Sequence, residues 1–585
     1  MSTQAGTYQF GPFRLSVIER QLFRGETPIS LTPKVFETLV VLVEQAGRLV
    51  HKDEFLSRIW PDTVVEEVGL AHNISQLRRV LGDGRHAPRF IQTVPKRGYR
   101  FVAPITIVAT APREFPTRVV MGVLPFDNLT GDAEREYLAY GLMEELIVSL
   151  GQIDSVRIAV LGRTSMMRQK GRTGSIADIG RQLNATHLIE GSIRIEGGRI
   201  RVTAKLIRVV DQVAAWSASF DVEPASMLVF QRELSVVIAN QIRIRLAPEC
   251  LDALGRRQTR DADAYDLYLR GRYFWNQLTP ATNARAIEYF ERAIALDPDY
   301  ALAWAGISYA VLGGSMNSDM APAVLLSRAR DAAARAVQAD PALADAHAAV
   351  GYVRFLLEWD WPGAEAALRR AVALDASCAV GVRMLGHLLS QTGHHAEARA
   401  VMSRLREIDP LYAMNHAMSA QVAFQARDYA EALAHARRAI VIDPEFWIGY
   451  MELGQAYERL DKVDLALDGL ITAGRLSGGN SKAVSLRAYV LARAGRADQA
   501  RDLLATLESV ARARYVPPAA FALVHAGLGD REAVFEWLDK AAAVRDVHLI
   551  FLTVDSKWDE YRGDSRFHSV LARCGFTSAR TNASV

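Results

Sequence analysis

Residues 8–31, YQFGPFRLSVIERQLFRGETPISL, alternate apolar and polar positions around turn residues at Gly11-Pro12 and Gly25-Glu26, a period-2 pattern that predicts a small antiparallel meander. The period then lengthens. Thr32 as N-cap and Pro33 at the first helical position open a helix with Val35, Leu39, Leu42 and Val43 on one face. A second helix starts near Lys52 and stops before Pro61, and a third spans roughly Glu67 to Leu81, with Gly82 as its natural C-cap. FIQTVPKRGYRFVA follows as two β-rich runs around a Pro-Lys-Arg-Gly turn, which predicts a hairpin with a basic tip.

Beyond a Pro-containing stretch, Pro104 to Thr117, the pattern changes to alternating strands and helices. VVMGVLPF (119–126) reads as a buried strand, Glu134–Leu150 as a helix, Val156–Leu161 as a strand and Ile176–Ala185 as a helix. HLIEGSIRI and RIRVTAKLIRV flank Gly197-Gly198 as a hairpin, and WSASFDV adds a further strand. The expectation is an α/β domain with a mixed sheet. From about Asp261 the chain is alanine-rich, helical and repetitive. Asp-Pro dipeptides close helices at Pro298, Pro341, Pro410 and Pro444, and Asp375-Ala376 stands in the same place between them. The spacings of 43, 35, 34 and 34 residues point to a helical-pair repeat, in which no pair buries its apolar face alone. The long interval places about nine extra residues in the Gly313 to Pro322 loop; beyond Gly478 the repeats degrade, so five to seven are expected over 262–577.

Composition narrows the class. The 585 residues are 50% hydrophobic and 23% charged, enough apolar material for several cores. Cys250, Cys378 and Cys574 lie more than a hundred residues apart, which gives neither a disulfide framework nor CxxC metal pairs and favours a reducing, cytoplasmic location. The N-terminus lacks a basic stretch followed by an apolar run, and no segment approaches the ~18 apolar residues of a membrane span, so secretion and a membrane partner are disfavoured. The net charge of +3 is an average over unlike parts. Residues 1–77 carry −2, residues 78–100 carry +6 through Arg78, Arg79, Arg85, Arg89, Lys96, Arg97 and Arg100 against Asp83, and the remainder sums to −1. A basic segment of that density is an electrostatic footprint for a phosphate backbone.

On the third helix, a turn of 100° per residue gathers Leu70, Ile74, Leu77 and Leu81 on the core face and leaves His72, Ser75, Gln76 and Arg79 opposite, with Asn73 and Arg78 on the flanks. Gln and Asn can bond adenine bidentately and Arg can take guanine or phosphate, while a merely wet helix face would carry more Glu and Lys; neither occurs from Val68 to Gly82.

These features together make residues 8–103 resemble an OmpR/PhoB-type winged-helix DNA-binding domain: the meander, LTPKVFETLVVLVEQAGRLVHKDEFLSRIW, ISQLRRVLGD and the wing FIQTVPKRGYRF. The resemblance implies that the Val68–Leu81 helix enters the major groove with Asn73 and Gln76 nearest the bases. His72, Asn73, Ser75, Gln76 and Arg79 are therefore the base-contacting candidates. Arg78 and Thr93 fall where such domains touch phosphates, and Lys96, Arg97 and Arg100 complete the phosphate and wing set. Where a family arginine often enters the minor groove this chain has Pro95, so Lys96 or Arg97 would substitute. Trp60–Gly69 corresponds to a loop that can contact RNA polymerase. Family members of the response-regulator type carry a phospho-receiver ahead of the winged helix, which here begins within ten residues of Met1. Another branch follows it with a membrane helix, whereas Phe101–Ala111 is short and broken by Pro104. VLPFDNLTGDAEREYLAYGLMEELIVSL with EGSIRIEGGRIRVTAKLI resembles a TolB-like domain, and the 34-residue period resembles tetratricopeptide repeats.

The expected architecture is multidomain: an α+β winged helix over 1–104, a linker over 105–117, an α/β mixed-sheet TolB-like domain with trailing helix over 118–247, a linker over 248–261, an all-α tetratricopeptide solenoid over 262–577 and a disordered tail over 578–585. Glu144-Glu145 reads as a solvated helix face, Trp304, Trp359, Trp361 and Trp447 as core, and His394-His395 as a turn without metal partners. No phosphate-binding glycine loop appears, and no cofactor, metal or catalytic set is expected. The expected function is a non-enzymatic, cytoplasmic, sequence-specific transcriptional regulator. Its partners would be double-stranded promoter DNA, RNA polymerase and, on the solenoid, a protein, a peptide or a second copy of the chain. The alternative is a repeat scaffold whose winged helix makes protein contacts.

Overall fold

The computed structural model describes residues 7–16, 21–25, 27–29, 31–59, 67–84, 88–108, 119–153, 157–171, 174–223, 227–241, 259, 261–276, 280–313, 315–316 and 319–576. The tail over 578–585 lies outside them, as do residues 109–117 and 248–258 of the expected linkers. The chain forms two units, 1–117 and 118–585.

In the first unit the alternating N-terminal segment folds as β1 (Thr7–Phe10), β2 (Phe13–Ser16), β3 (Gln21–Arg24) and β4 (Thr27–Ile29), a meander whose other edge is β8 (Thr106–Val108). Helices α1 (Pro33–Glu44), α2 (Lys52–Ile59) and α3 (Glu67–Leu81) follow, interrupted by β5 (Leu49–His51). β6 (Ile91–Val94) and β7 (Gly98–Phe101) form the wing, and β5 joins it in the order β5-β7-β6. The period-2 and period-3.6 patterns converge on one core: Phe10, Phe13, Leu39, Leu42, Phe55, Leu77 and Phe101 are all buried.

The second unit opens with a mixed sheet. β9 (Val119–Val123) lies parallel between β11 (Ile158–Val160) and β12 (His187–Glu196), and the short β10 (Asp127–Asn128) also pairs with β12. β12, β13 (Arg199–Arg208) and β14 (Val213–Val222) are antiparallel. α4 (Glu136–Ile153), α5 (Arg163–Met167), α6 (Ile176–Leu183) and α7 (Met227–Gln241) complete this lobe; five-residue α5 is too short to show a period in the sequence.

The helical region comprises α8 (Ala262–Trp275), α9 (Pro280–Leu296), α10 (Ala301–Leu312), α11 (Pro322–Ala339), α12 (Ala344–Val353), α13 (Trp361–Leu374), α14 (Ala379–Gln391), α15 (His395–Ile408), α16 (Ala413–Gln425), α17 (Tyr429–Ile442), α18 (Trp447–Arg459), α19 (Val463–Leu476), α20 (Ser481–Arg493), α21 (Ala497–Ala511), α22 (Pro518–Leu528), α23 (Arg531–Ala543) and α24 (Ser565–Arg573). The first sixteen form eight helix pairs, more than the five to seven expected. The period does not decay at Gly478: Ala364, Ala398, Ala432, Ala466, Ala500 and Val534 recur every 34 residues and all are buried. Only the Asp-Pro markers disappear. The long interval is taken up between α10 and α11, in the Gly313–Pro322 segment.

The solenoid bends back on itself. Trp361 Nε1 donates to Cys574 O at 2.8 Å, Arg545 Nη1 to Glu358 O at 2.9 Å, and Thr553 Oγ1 to Gln391 O at 2.8 Å, so the C-terminal cap closes on α12–α14. Trp359 and Trp361 are core residues; Trp304 and Trp447 are half-buried.

The α/β lobe docks on the solenoid through a diverted repeat motif. In four of the five periodic positions the aspartate accepts the backbone N–H two residues on: Asp297 from Asp299, Asp340 from Ala342, Asp375 from Ser377 and Asp443 from Glu445, at 2.8–3.1 Å. Asp409 instead accepts Thr164 N at 3.2 Å, Ser165 N at 2.7 Å and the Ser165 hydroxyl at 2.5 Å, capping α5. The N–H left over, from Leu411, donates to Ser165 Oγ at 2.8 Å. Glu144-Glu145 is likewise no solvated face: Glu144 is buried at the same seam, where Arg272 and Asn276 donate to its carboxylate. Burial, then the charge of Glu144, raises the Glu145 carboxyl to about 7.

Two outcomes follow for this unit. Asp409→Ala orphans three donors and should loosen the seam by about 2–4 kcal/mol, seen as faster amide exchange in α5 with the solenoid helices unchanged; equal exchange in both would contradict the docking role. Glu452, 2% exposed, is pushed up to about 7 by burial. A carboxyl raised above its ordinary range stabilises the fold at low pH and loses that contribution as pH climbs through about 7. The thermal midpoint should therefore fall between about pH 4.5 and pH 7 in the parent and fall less in Glu452→Gln. Parallel profiles would refute this.

Candidate nucleic-acid interface

The helix α3 is held by polar residues as much as by its apolar face. Leu70, Ile74, Leu77 and Leu81 are buried as the spacing requires. Asn73, 6% exposed, turns inward: its Nδ2 donates to Lys34 O at 3.2 Å and Thr38 Oγ1 at 3.0 Å, tying α3 to α1. Arg78, 8% exposed, donates through Nη2 to Ile91 O at 2.8 Å and Thr93 Oγ1 at 2.7 Å, tying α3 to β6. Asp83 closes the same corner, its carboxylate accepting Arg89 N at 2.6 Å, Ile91 N at 2.7 Å and Phe90 N at 3.2 Å.

Two expectations are corrected here. Asn73 does not stand beside Gln76 on the outer surface, because its amide is spent on the α1 backbone and Thr38. Arg78 is a buried strut of the wing, and the hydroxyl of Thr93 is its partner. The helical wheel placed both on flanks, and a flank position goes inward when a neighbouring element offers a carbonyl there. Asp83, Thr38 and Lys34 escaped the sequence reading; the signal available was the single acid within an otherwise basic segment, next to a helix C-cap.

What remains outward is a stripe one turn apart along α3: His72, Ser75 and Arg79 exposed and Gln76 half-buried, its Nε2 hydrogen-bonded to His72 Nε2 at 2.8 Å. The Arg78–Thr93 bond brings the C-terminal half of α3 against the wing. At the wing tip Pro95, Lys96 and Arg97 are exposed, Lys96 with φ 63° and Arg97 N donating to Val94 O at 3.1 Å. Gly98 is required there, since a Cβ would stand 2.0 Å from Val50 O of β5. Arg100 is half-buried on β7. Among the described residues no carboxylate pairs with Arg79, Lys96 or Arg97, so their charge faces outward unneutralised. Residues 60–66 of the Trp60–Gly69 segment lie outside the described residues. No group of three or more His, Cys, Asp or Glu converges as a metal site would need, again among the described residues. No described helix is long and apolar enough to cross a membrane.

The arrangement defines a winged-helix module with a polar helix face beside a basic hairpin. Residues 25–101 match the family model described as "Transcriptional regulatory protein, C terminal". The chain is 28% identical over 296 residues to the transcriptional regulator HilA of Salmonella typhi, covering 50% of this chain and 51% of that one. It is 30% identical over 214 residues to putative adenylate cyclase 3 of Rhizobium meliloti, covering 37% and 36%. It is also similar to the DNA-binding domain of Escherichia coli CadC, at 26% identity and a TM-score of 0.16, covering 18% of this chain and 99% of that one. The chain thus spans between about a third and a half of the length of these curated relatives.

The ties give an immediate expectation. Asp83→Ala leaves three N–H donors without their acceptor and should cost about 2 kcal/mol or more locally, read as roughly thirtyfold faster amide exchange across β6 and β7 in the full chain. Unchanged exchange would mean that the corner holds without it.

Proposed function

We propose that the chain is a cytoplasmic, non-enzymatic, sequence-specific DNA-binding transcriptional regulator. The observation that carries this reading is the division of α3: Asn73 and Arg78 fix it from inside, and the stripe of His72, Ser75, Gln76 and Arg79 is left free beside an unneutralised basic wing. In this reading α3 lies in the major groove, where Gln76 can bond adenine and Arg79 guanine or a phosphate. Thr93, Lys96, Arg97 and Arg100 face the phosphates or the adjacent minor groove, supplying affinity that falls with salt. The match over residues 25–101 and the regulator named among the relatives support it. The second unit governs the outcome by binding a protein, a peptide or another copy of the chain on its solenoid. Contact of residues 60–69 with RNA polymerase belongs to the same proposal. Because one relative is named a putative adenylate cyclase, turnover of ATP by the purified chain is the direct check on the non-enzymatic part.

The test is binding to sites enriched from a random duplex pool, followed across salt concentrations. Gln76→Ala should relax the preference at one base pair, with about 1–3 kcal/mol of discrimination lost. Arg97→Ala should weaken all sequences alike and reduce the salt slope by about one. Asn73→Ala should lower stability while leaving the ranking of sites intact. A chain that enriches no sequence, or a Gln76 variant that ranks sites as the parent does, removes α3 as the reading element and returns the alternative of a repeat scaffold.

A further inference from the structure

The hollow of the solenoid contains a cavity of about 1090 Å³, walled on one side by Glu144, Ile147 and Arg163 of the α/β lobe and on the others by residues of α8–α12, α14–α16, α18 and α20. That is the size of the larger pockets that take drug-sized molecules. Its wall combines flat apolar surface with polar groups, among them the carboxylates of Glu144, Asp345, Asp375, Asp409, Asp443 and Glu452, each already held by a protein donor. Trp275 and Tyr309 stack with ring centroids 5.8 Å apart, and Tyr352, Tyr412, Met418 and Trp447 continue the surface. The cations of the wall are spoken for, with one exception. Arg163 and Arg272 pair with Glu144, Arg328 pairs with Glu291, and Lys482 feels Glu452 as its leading opposite charge. Arg383, on α14, stands over the Tyr412 ring, 5.0 Å from its guanidinium carbon, and among the described residues no carboxylate pairs with it. Its Nε is buried without a protein partner, as are Trp275 Nε1 and Nε2 of His387, a residue 5% exposed on the same helix. Burial holds that imidazole neutral, with its pKa lowered to about 3, so it adds a hydrogen-bonding site and no charge.

A half-buried guanidinium without a carboxylate partner, on a wall that also carries the unpartnered Trp275 Nε1 and His387 Nε2, is where an anion from outside the protein would be best received. We propose that this cavity is a small-molecule site for an aromatic carboxylate: its anion bonds Arg383, its flat body lies between the Trp275–Tyr309 and Tyr412–Trp447 walls, and Trp275 Nε1 or His387 Nε2 completes any further polar group. The wall belongs to both lobe and solenoid, so the occupant touches both. This inference is independent of the DNA-binding reading.

The experiment compares 1-naphthaleneacetate with its uncharged isostere 1-naphthaleneacetamide on the full-length protein, by calorimetry and by quenching of tryptophan fluorescence. The acid should bind about tenfold or more tightly than the amide, the gain of one charge-assisted hydrogen-bonded pair away from bulk water. Arg383→Gln should bring the acid down to the amide, and Arg383→Lys should restore part of the difference. Met418→Trp, which fills the hollow, should weaken both probes. If Arg383→Gln does not fold, the acid–amide difference in the parent decides alone. Equal affinities in the parent, an acid affinity untouched by Arg383→Gln, or no binding of either probe at millimolar concentration would overturn the assignment.

Discussion

One carboxylate sets the geometry of the larger unit. In a helical repeat the aspartate that ends each pair has a local task, turning the chain into the next pair by accepting the N–H two residues ahead. Asp409 is released from that task because Ser165 takes over Leu411 N–H, and its oxygens then cap a helix in a different lobe. The exchange conserves hydrogen bonds: every donor freed on one side finds an acceptor on the other. It also forbids a side chain at Gly162, where a Cβ would lie 2.6 Å from the Asp409 side chain. Arg168 adds a contact one pair later, donating to Ile442 O at 2.7 Å beside Asp443, which keeps its local turn. Through these contacts the lobe presents α4 and the start of α5 to the hollow of the solenoid, and the cavity has two kinds of wall.

Much of this was legible beforehand, for physical reasons. Periods of 2 and 3.6 locate strands and helices because one face of each must be buried, and the 34-residue recurrence locates pairs because each needs its neighbours. Where the reading stopped short, a marker had been mistaken for the property behind it. Asp-Pro ends after Pro444, yet the buried small residues continue through Ala466, Ala500 and Val534, and it is those that the stacking requires. Glu144 looked solvated because a sequence does not show that Arg272, 128 residues away, stands over it. At the candidate interface the four residues of the outer stripe were recoverable from the wheel. Asn73 and Arg78 were not, since their direction depends on where α1 and β6 place their carbonyls.

Buried polar side chains shape both units. In the first, Asn73, Arg78 and Asp83 are each engaged by atoms of the same unit, so the helix and wing are fixed in shape before anything binds. A surface that reads base edges gains from such preorganisation, because the binding energy is not spent on ordering it. In the second, Arg383, Trp275 and His387 line one hollow, and each carries a buried polar atom without a protein partner. Each such atom costs about 1–3 kcal/mol while it stays unpaired. An occupant satisfying them would bond the solenoid and touch the lobe at once, and would strengthen the Asp409 seam by the free energy with which it prefers the docked arrangement. The hollow is therefore the place in this unit where a small molecule could change the balance between docked and loosened lobe.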